Sequence, residues 1–554
     1  MRSWAACLVI WIPYSLSNAI GCLPNTACPW ISDRPNGSLP MKKRRILGIT
    51  LLSIGGVILV GFGAVAFLFY RGVNFDPLES AYEENCGACH GQNMEGTGQG
   101  TPLVGVAFRH GESVEAISAS IANGFPAQGM PGWSGILPET EIRRLAIFIS
   151  ERRADLSWDF KVRKPLEIPE GMVRSDLHDF RIEAFAEGLD PLPYSIAPLP
   201  DGGFLLTEKM RGLSIVSADG VQSPLVAGTP SAHADSLRLP FVQLEYGIGW
   251  IMEVATHPDY ADNGWIYLHF GDRCEDCNDG GGAVSMNKVI RGRIDDGRWV
   301  DEETIWSVPV EDYSDMPDMA AGGRLCFDAE QRLYISVGMK GPANYYGIQD
   351  LSKPYGKIHR VHDDGGVPAD NPFIQVADAQ PTAWTYGHRS PQGLECNQRT
   401  GQVWSTEMGP RGGDEINLLL PGRNYGWPLH SKGVNYDGTP VEYGKELGIT
   451  FDLADIEQPV IDLTPSPAVS SFAFYEGNAF PAWRNQMLVG TLRATELYRV
   501  AFDGDRLVIQ ETLIKDLARI RDVEVGADGL VYLLLEHASS GRIVRLVPVA
   551  ETGA

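Results

Sequence analysis

The sequence predicts a mainly β protein: a six-bladed β-propeller preceded by a small all-α domain and an N-terminal transmembrane helix. Three observations carry that prediction. Six segments repeat one plan of turn then short strand, spread over roughly 400 residues with almost no helical periodicity among them. Helical spacing is concentrated instead between residues 75 and 158. An apolar run from Ile46 to Tyr70 follows the basic start MKKRR.

In chain order, residues 1–40 precede a better start at Met41 and carry no coherent design, so they are set apart as an N-terminal extension. The segment 41–71 is long enough for a bilayer core of roughly 30 Å. Lys42, Lys43, Arg44 and Arg45 would stay inside, leaving everything after Arg71 on the far face. Ala64-Val65-Ala66 offers a cleavage site that would convert the anchor into a removable signal. The continuing run Phe67, Leu68, Phe69, Tyr70 favours the anchor. "GFGAVA" within it matches a dinucleotide fingerprint in spelling alone, lacking the strand before and the helix after.

In "NCGACHGQ", Cys86 and Cys89 are spaced for thioethers to two haem vinyl groups, and His90 supplies an imidazole for the iron. Met130, in the Gly/Pro-rich "GFPAQGMPGW", lies about forty residues on, where a thioether can reach the opposite face. His110 is a competing ligand, read as a surface residue because its neighbours are polar. "LPETEIRRLAIFISERRA" reads as a closing helix, with Glu139 and Glu141 in its first turn and Ile142, Leu145, Ala146 and Ile149 at helical spacing. On these residues, 75–158 resembles a monohaem c-type cytochrome domain, followed by a linker over 159–178. Haem of this kind is attached outside the cytoplasm, in keeping with an export signal ahead of it.

Nine cysteines fit an oxidising compartment. Cys274 and Cys277 read as a small loop staple; the rival reading, zinc, lacks a second Cys or His pair close by. Cys326 and Cys396 hold matching places in two successive strand segments and could bridge them. A net charge of −24 repels phosphates and leaves no basic stripe for nucleic acid, which is therefore not expected as a partner.

The six repeats start at Leu199, His257, Phe327, Cys396, Phe480 and Gly526, each an Asp/Gly/Asn turn followed by an apolar and aromatic strand. One four-stranded unit cannot bury both its faces, whereas radial stacking lets each face cover the next, so 179–550 is expected to form one unit per blade. Closure leaves a central channel with ligands at its mouth. Two long inserts, from Gly409 to Asn435 and between Tyr436 and Pro465, are expected to serve function.

The stretch "YGHRSPQGLECN", continuing to "STEMGPRGGDEINLLLPGRNYGWP", closely resembles the soluble quinoprotein glucose and aldose sugar dehydrogenases. "HPDY", "GGRL", "ADNPF", "SPAVSSFAFYEG" and "RIRDVEVGADG" extend the resemblance from about Phe180 to Val547. It implies a six-bladed propeller using pyrroloquinoline quinone (PQQ) and calcium. Arg519 and Arg521, two apart on a strand-like stretch, point to one face and could clamp carboxylates; the resemblance makes that pair cofactor ligands. It also implies Arg389, Ser390, Tyr436, Thr491, Leu492 and Arg493 at the quinone, Arg493 keeping the charge of a usual Lys. For calcium, a hard cation wanting oxygen, it implies the carbonyls of Gly409 and Pro410, and Glu415 with the carbonyl of Tyr425. Unaided, Asp414 and Glu415 would read as a turn's solvated acids.

Three positions depart from the family pattern: Ala320 stands where the general-base His is expected, Ile248 where a cofactor-contacting Gln is, and Ser390 where an Asn is. General-base help is worth ~10² to 10⁴ in rate, so Asp315 and Asp318 become candidate substitutes, while His257 is read as packing beside its strand. The expected function is an anchored periplasmic dehydrogenase. It oxidises a sugar or related alcohol over the quinone and sends single electrons through the haem to a respiratory acceptor. The alternatives are a propeller that has lost its base and binds a carbohydrate or partner, and a scaffold that positions the cytochrome.

Overall fold

Tight turns and β-rich runs build six antiparallel sheets in the computed structural model, which describes residues 76–156, 166–233, 247–341, 345–504 and 506–549. The innermost strands of blades 1 to 6 are Pro193–Pro198, Ile251–Thr256, Gly322–Phe327, Pro391–Cys396, Val469–Phe474 and Arg519–Val525. Each neighbours the next and the last returns to the first, which closes the ring. The second strands are Phe204–Glu208, Ile266–Cys274, Arg332–Val337, Val403–Glu407, Met487–Thr491 and Val531–Glu536. Each of the six sequence repeats is thus the turn into a second strand together with that strand. These strands are covered on both faces by adjacent blades, so they read as nearly continuous apolar runs.

The ring is fastened by its own beginning. Strand Phe180–Leu189 pairs antiparallel with Gly541–Pro548, Phe180 facing Pro548, and so completes blade 6 from the N-terminal side. A disulfide between Cys326 and Cys396 ties the innermost strands of blades 3 and 4 with Cα atoms 5.6 Å apart, and a second joins Cys274 to Cys277. His257 packs beside its strand against the Phe327 and Tyr267 rings.

The haem-motif domain is helical. Helix Pro77–Tyr82, N-capped by Asp76, runs through a π-helical turn at Glu83–Gly87 into Ala88–His90; Val114–Asn123 and Glu139–Arg153 follow. Leu78, Tyr82, Ile117, Ile121, Leu145 and Phe148 form its core, and Val434 from the first long insert of the propeller packs into it. The described residues from Asp76 onward belong to one compact unit. The expected membrane segment, the Ala64-Val65-Ala66 motif and most of the linker's first half lie outside the described residues. Among the described residues, no helix is long and apolar enough to cross a membrane.

Candidate redox site

The haem motif sits on a π-turn, an irregularity frequent at functional positions. Cys86 is partly buried and Cys89 exposed, and neither joins a disulfide among the described residues. His90 Nδ1 lies 2.8 Å from the Thr101 carbonyl. That contact makes Nδ1–H the donor and leaves Nε2 for iron. Met130 is partly buried and tied to Phe125 by reciprocal backbone bonds of 2.8 and 3.2 Å. His110 is exposed, its ring stacked on Phe125 at 4.5 Å.

Across the propeller, the two arginines at the start of the last innermost strand share a partner. Arg519 Nε donates to Glu536 Oε2 at 2.9 Å, and Arg521 Nε donates to Glu536 Oε1 at 2.7 Å. Lys209 Nζ, from the end of the second strand of blade 1, donates to the same carboxylate and lies 5.0 Å from the Trp250 ring. Burial alone would raise the Glu536 carboxyl; Arg521, Lys209 and Arg519 outweigh it and hold it well below the usual range. Burial, with Arg521 adding to it, pushes the Lys209 ammonium down to about 7 against the pull of Glu536. Three basic side chains among the described residues thus converge on one buried carboxylate, a set that an anionic ligand would complement. A tricarboxylate quinone fits that set.

Hydrogen bonds connect this cluster to the other predicted residues. Arg521 donates to Gln392 Oε1 at 3.1 Å, and Gln392 Nε2 to Ser390 Oγ at 3.0 Å. The backbone N–H groups of Ser390 and Arg389 both donate to Glu407. The Arg389 guanidinium donates to Met408 O at 3.0 Å, Gly409 O at 2.9 Å and Tyr436 Oη at 3.4 Å. Its Nε is buried with no hydrogen-bond partner among the described residues. Gly409 N and Ser466 Oγ donate to Asp414, and Arg493 donates to Ser466 O at 3.3 Å. Arg389, Ser390, Arg493, Arg519 and Arg521 are therefore linked through blades 4, 5 and 6, with Tyr436 on the insert at 56% exposure. Thr491 and Leu492 stand apart: the Thr491 hydroxyl donates to Glu496 O within its own hairpin, and Leu492 is buried.

The calcium positions divide. Burial and the nearby Glu407 carboxylate, with Asp462 and Asp414 adding, push the Glu415 carboxyl up to about 8. Next to it, Asn417 Oδ1 is buried with no partner among the described residues. An acid crowded by acids beside an orphaned oxygen fits a hard cation. Asp414 is fully buried rather than a solvated turn acid. At Gly409 the carbonyl already accepts from Arg389, so the arrangement there does not fit an ion unless the guanidinium leaves. Pro410 is buried beside it, and the Tyr425 ring stacks on His388 at 4.7 Å.

Ala320 is partly buried against the apolar cluster between blades 2 and 3. Of the candidate substitutes, Asp318 is corrected to a structural anchor: it is 3% exposed, pairs with Lys340 Nζ at 2.6 Å and accepts from Gly249 N, Trp250 N and Ser285 Oγ. Asp315 is exposed. Ile248 contributes its carbonyl to Arg273. Lys209, Gln392, Glu407 and Glu536 escape sequence reasoning, although a signal exists. The second strands of blades 1, 4 and 6 each end on glutamate, at Glu208, Glu407 and Glu536, and the last two orient the site arginines.

The profile for glucose/sorbosone dehydrogenase matches residues 191–545, and the profile for cbb3-type cytochrome c oxidase subunit III matches residues 73–149. Aldose sugar dehydrogenase YliI of Escherichia coli strain K12 is 34% identical over 379 residues, covering 66% of this chain and 92% of that protein. Quinoprotein glucose dehydrogenase B of Acinetobacter calcoaceticus is 25% identical over 418 residues, 63% of this chain and 84% of that one. A crystal structure of a glucose dehydrogenase superposes with a TM-score of 0.57 at 35% identity, covering 66% of this chain and 98% of that chain. With a profile matching most of the propeller and a second profile matching the haem-motif domain, the chain belongs to the glucose/sorbosone dehydrogenase family, joined to a cytochrome c domain.

Proposed function

We propose that this protein is a quinoprotein dehydrogenase that oxidises a sugar or related alcohol with PQQ and delivers the electrons through its own haem c to a respiratory acceptor. The observation that carries this reading is the buried convergence of Lys209, Arg519 and Arg521 on Glu536, linked by hydrogen bonds through Gln392, Ser390 and Glu407 to Arg389. The names of two relatives, an aldose sugar dehydrogenase and a quinoprotein glucose dehydrogenase, support the substrate class and the cofactor. Contiguity supports the electron route: Gly438, two residues beyond Tyr436, is pressed so close to Leu78 of the haem-domain core that a Cβ there would stand 2.7 Å away.

When bound, PQQ supplies a two-electron acceptor. Arg519 and Arg521 would bind its carboxylates, Arg389 and Arg493 would line the site beside them, and Glu415 would hold calcium. Asp315, the exposed acid before the position of the missing base, receives the substrate proton. The haem domain lies on the periplasmic side of the inner membrane, a placement supported by the basic run and apolar segment ahead of it and by the thioether chemistry of Cys86 and Cys89.

The test is reconstitution of the full haem-loaded chain with PQQ and calcium, followed by a panel of aldoses and alcohols while the reduced haem band is recorded. At least one aldose is expected to reduce the haem. Absence of quinone binding at micromolar PQQ overturns the reading. Binding without turnover favours a carbohydrate- or partner-binding propeller, a reading supported by Ala320.

A further inference from the structure

Glu151 breaks two local rules. It lies in the last turn of helix Glu139–Arg153, where the helix dipole disfavours an acid, and it is 3% exposed. A buried carboxylate persists only when it is well paired. Its pairing comes from the propeller: Oε2 accepts from Arg411 Nε at 3.0 Å and Arg411 NH2 at 2.7 Å, while Oε1 accepts from Arg493 NH1 at 3.2 Å. Asp76, the cap of the first haem-domain helix, grips Arg411 from the other side with two bonds of 2.8 Å. Arg493 NH2 donates to the Leu156 carbonyl just past the closing helix at 2.7 Å.

Two carboxylates of the haem domain and two guanidiniums of the propeller thus form a charge-balanced quartet across the boundary. Neighbouring contacts hold the same surfaces together. Val434 enters the haem-domain core, and Arg143 NH2 donates to the Lys432 carbonyl at 2.6 Å. Arg411 directly follows Pro410, and Arg493 is joined through Ser466, Asp414 and Gly409 to Arg389. The quartet is therefore continuous with the residues assigned to the quinone.

We propose that Glu151 is a positioning residue of the quinone site: from the haem domain it fixes Arg493, and so makes binding of the anionic cofactor depend on the haem domain being docked. The proposal rests on the quinone reading above. Arginine is long and rotamer-rich, and holding it in place beforehand removes an ordering cost from ligand binding. The haem domain then has two tasks, receiving electrons and completing the site that supplies them.

The test is PQQ titration of the full haem-loaded chain, followed by tryptophan fluorescence, for wild type, Glu151→Gln, Glu151→Asp, Arg493→Gln and the Glu151→Gln/Arg493→Gln double variant. Glu151→Gln is expected to bind about tenfold more weakly or worse, and Glu151→Asp to recover part of the loss. In the Arg493→Gln background, Glu151→Gln is expected to add nothing, because one residue acts through the other. Should Glu151→Gln not accumulate as folded protein, Glu151→Asp taken through the same cycle decides the question. Equal or tighter binding by Glu151→Gln, or losses that simply add, overturn the proposal and leave the quinone reading standing. A wild type that binds no PQQ overturns both.

Discussion

Glu536 offers its carboxylate to Lys209, Arg519 and Arg521 at once, and removing its charge separates folding from binding. Glu536→Gln leaves the buried Arg519 and Arg521 without their shared anion and Lys209 losing its proton more readily, and breaking a buried pair costs about 3–5 kcal/mol. Its melting temperature is expected to fall, yet PQQ is expected to raise it by more than in wild type, because the ligand's carboxylates replace the missing anion. Thermal melts with and without PQQ check this; an equal rise in both proteins removes these cations from the cofactor site. The Arg519→Ala, Arg521→Ala double variant is expected to lose binding altogether in the same assay. His359 supplies a pH prediction. It is fully buried, with Nε2–H donating to Pro354 O at 2.7 Å and Nδ1 accepting from Thr382 Oγ1 at 2.8 Å, and burial pushes its imidazole from the ordinary 6.5 down to about 3. Between those values the unfolded chain binds a proton that the fold excludes, so the stability His359 contributes above pH 6.5 is lost as pH falls through the window. Urea titrations at descending pH are expected to show a shallower decline for His359→Asn; an identical slope means that the folded protein protonates this histidine.

At the scale of elements, the disulfide joining the innermost strands of blades 3 and 4 closes a sequence separation of 70 residues. Loop-closure entropy for that length is worth about 4 kcal/mol. The Cys326→Ser, Cys396→Ser variant should therefore unfold at markedly lower urea, and an unchanged midpoint would mean that the ring of innermost strands already supplies the restraint. This bridge was legible because both cysteines occupy the ends of equivalent strands. The second strands were legible for a related reason: each is flanked by a turn and buried on both faces, so turn residues and apolar runs alternate along the chain. The closing helix Glu139–Arg153 followed from its spacing and first-turn acids. The arginine pair Arg519 and Arg521 showed its shared face through period two, and Glu536 confirms that sharing by bonding both. Partners across blades were not legible. Asp318 read as an available acid because nothing in "SDMPDMA" announces Lys340, which lies 22 positions on, past the second strand of blade 3. Glu151 and Arg411 are 260 positions apart, and a helix pattern says only that an acid is present, not that a guanidinium from another domain encloses it.

For the molecule as a whole, the manner in which the haem domain is attached decides how electrons leave. A tethered cytochrome that swings to its donor would deliver electrons at a rate governed by encounter, and encounter between charged surfaces falls as salt rises. The attachment here rests on contacts of a different kind. An exposed pair such as Arg152 with Glu79, within the haem domain, holds little energy and is readily screened. The quartet of Asp76, Glu151, Arg411 and Arg493 is instead largely buried, with Arg411 at 4% and Glu151 at 3% side-chain exposure, beside Val434 set in the haem-domain core. Mobile ions do not penetrate such a contact, even at 1 M, where the screening length is about 3 Å. Haem reduction after sugar is added to the PQQ-loaded chain is therefore expected to be first order, independent of protein concentration and nearly unchanged between low and high salt. Stopped-flow absorbance of the haem band measures it directly. A rate that falls steeply with salt would mean that the haem domain leaves the propeller during turnover, and one that rises with protein concentration would mean that electrons pass between molecules.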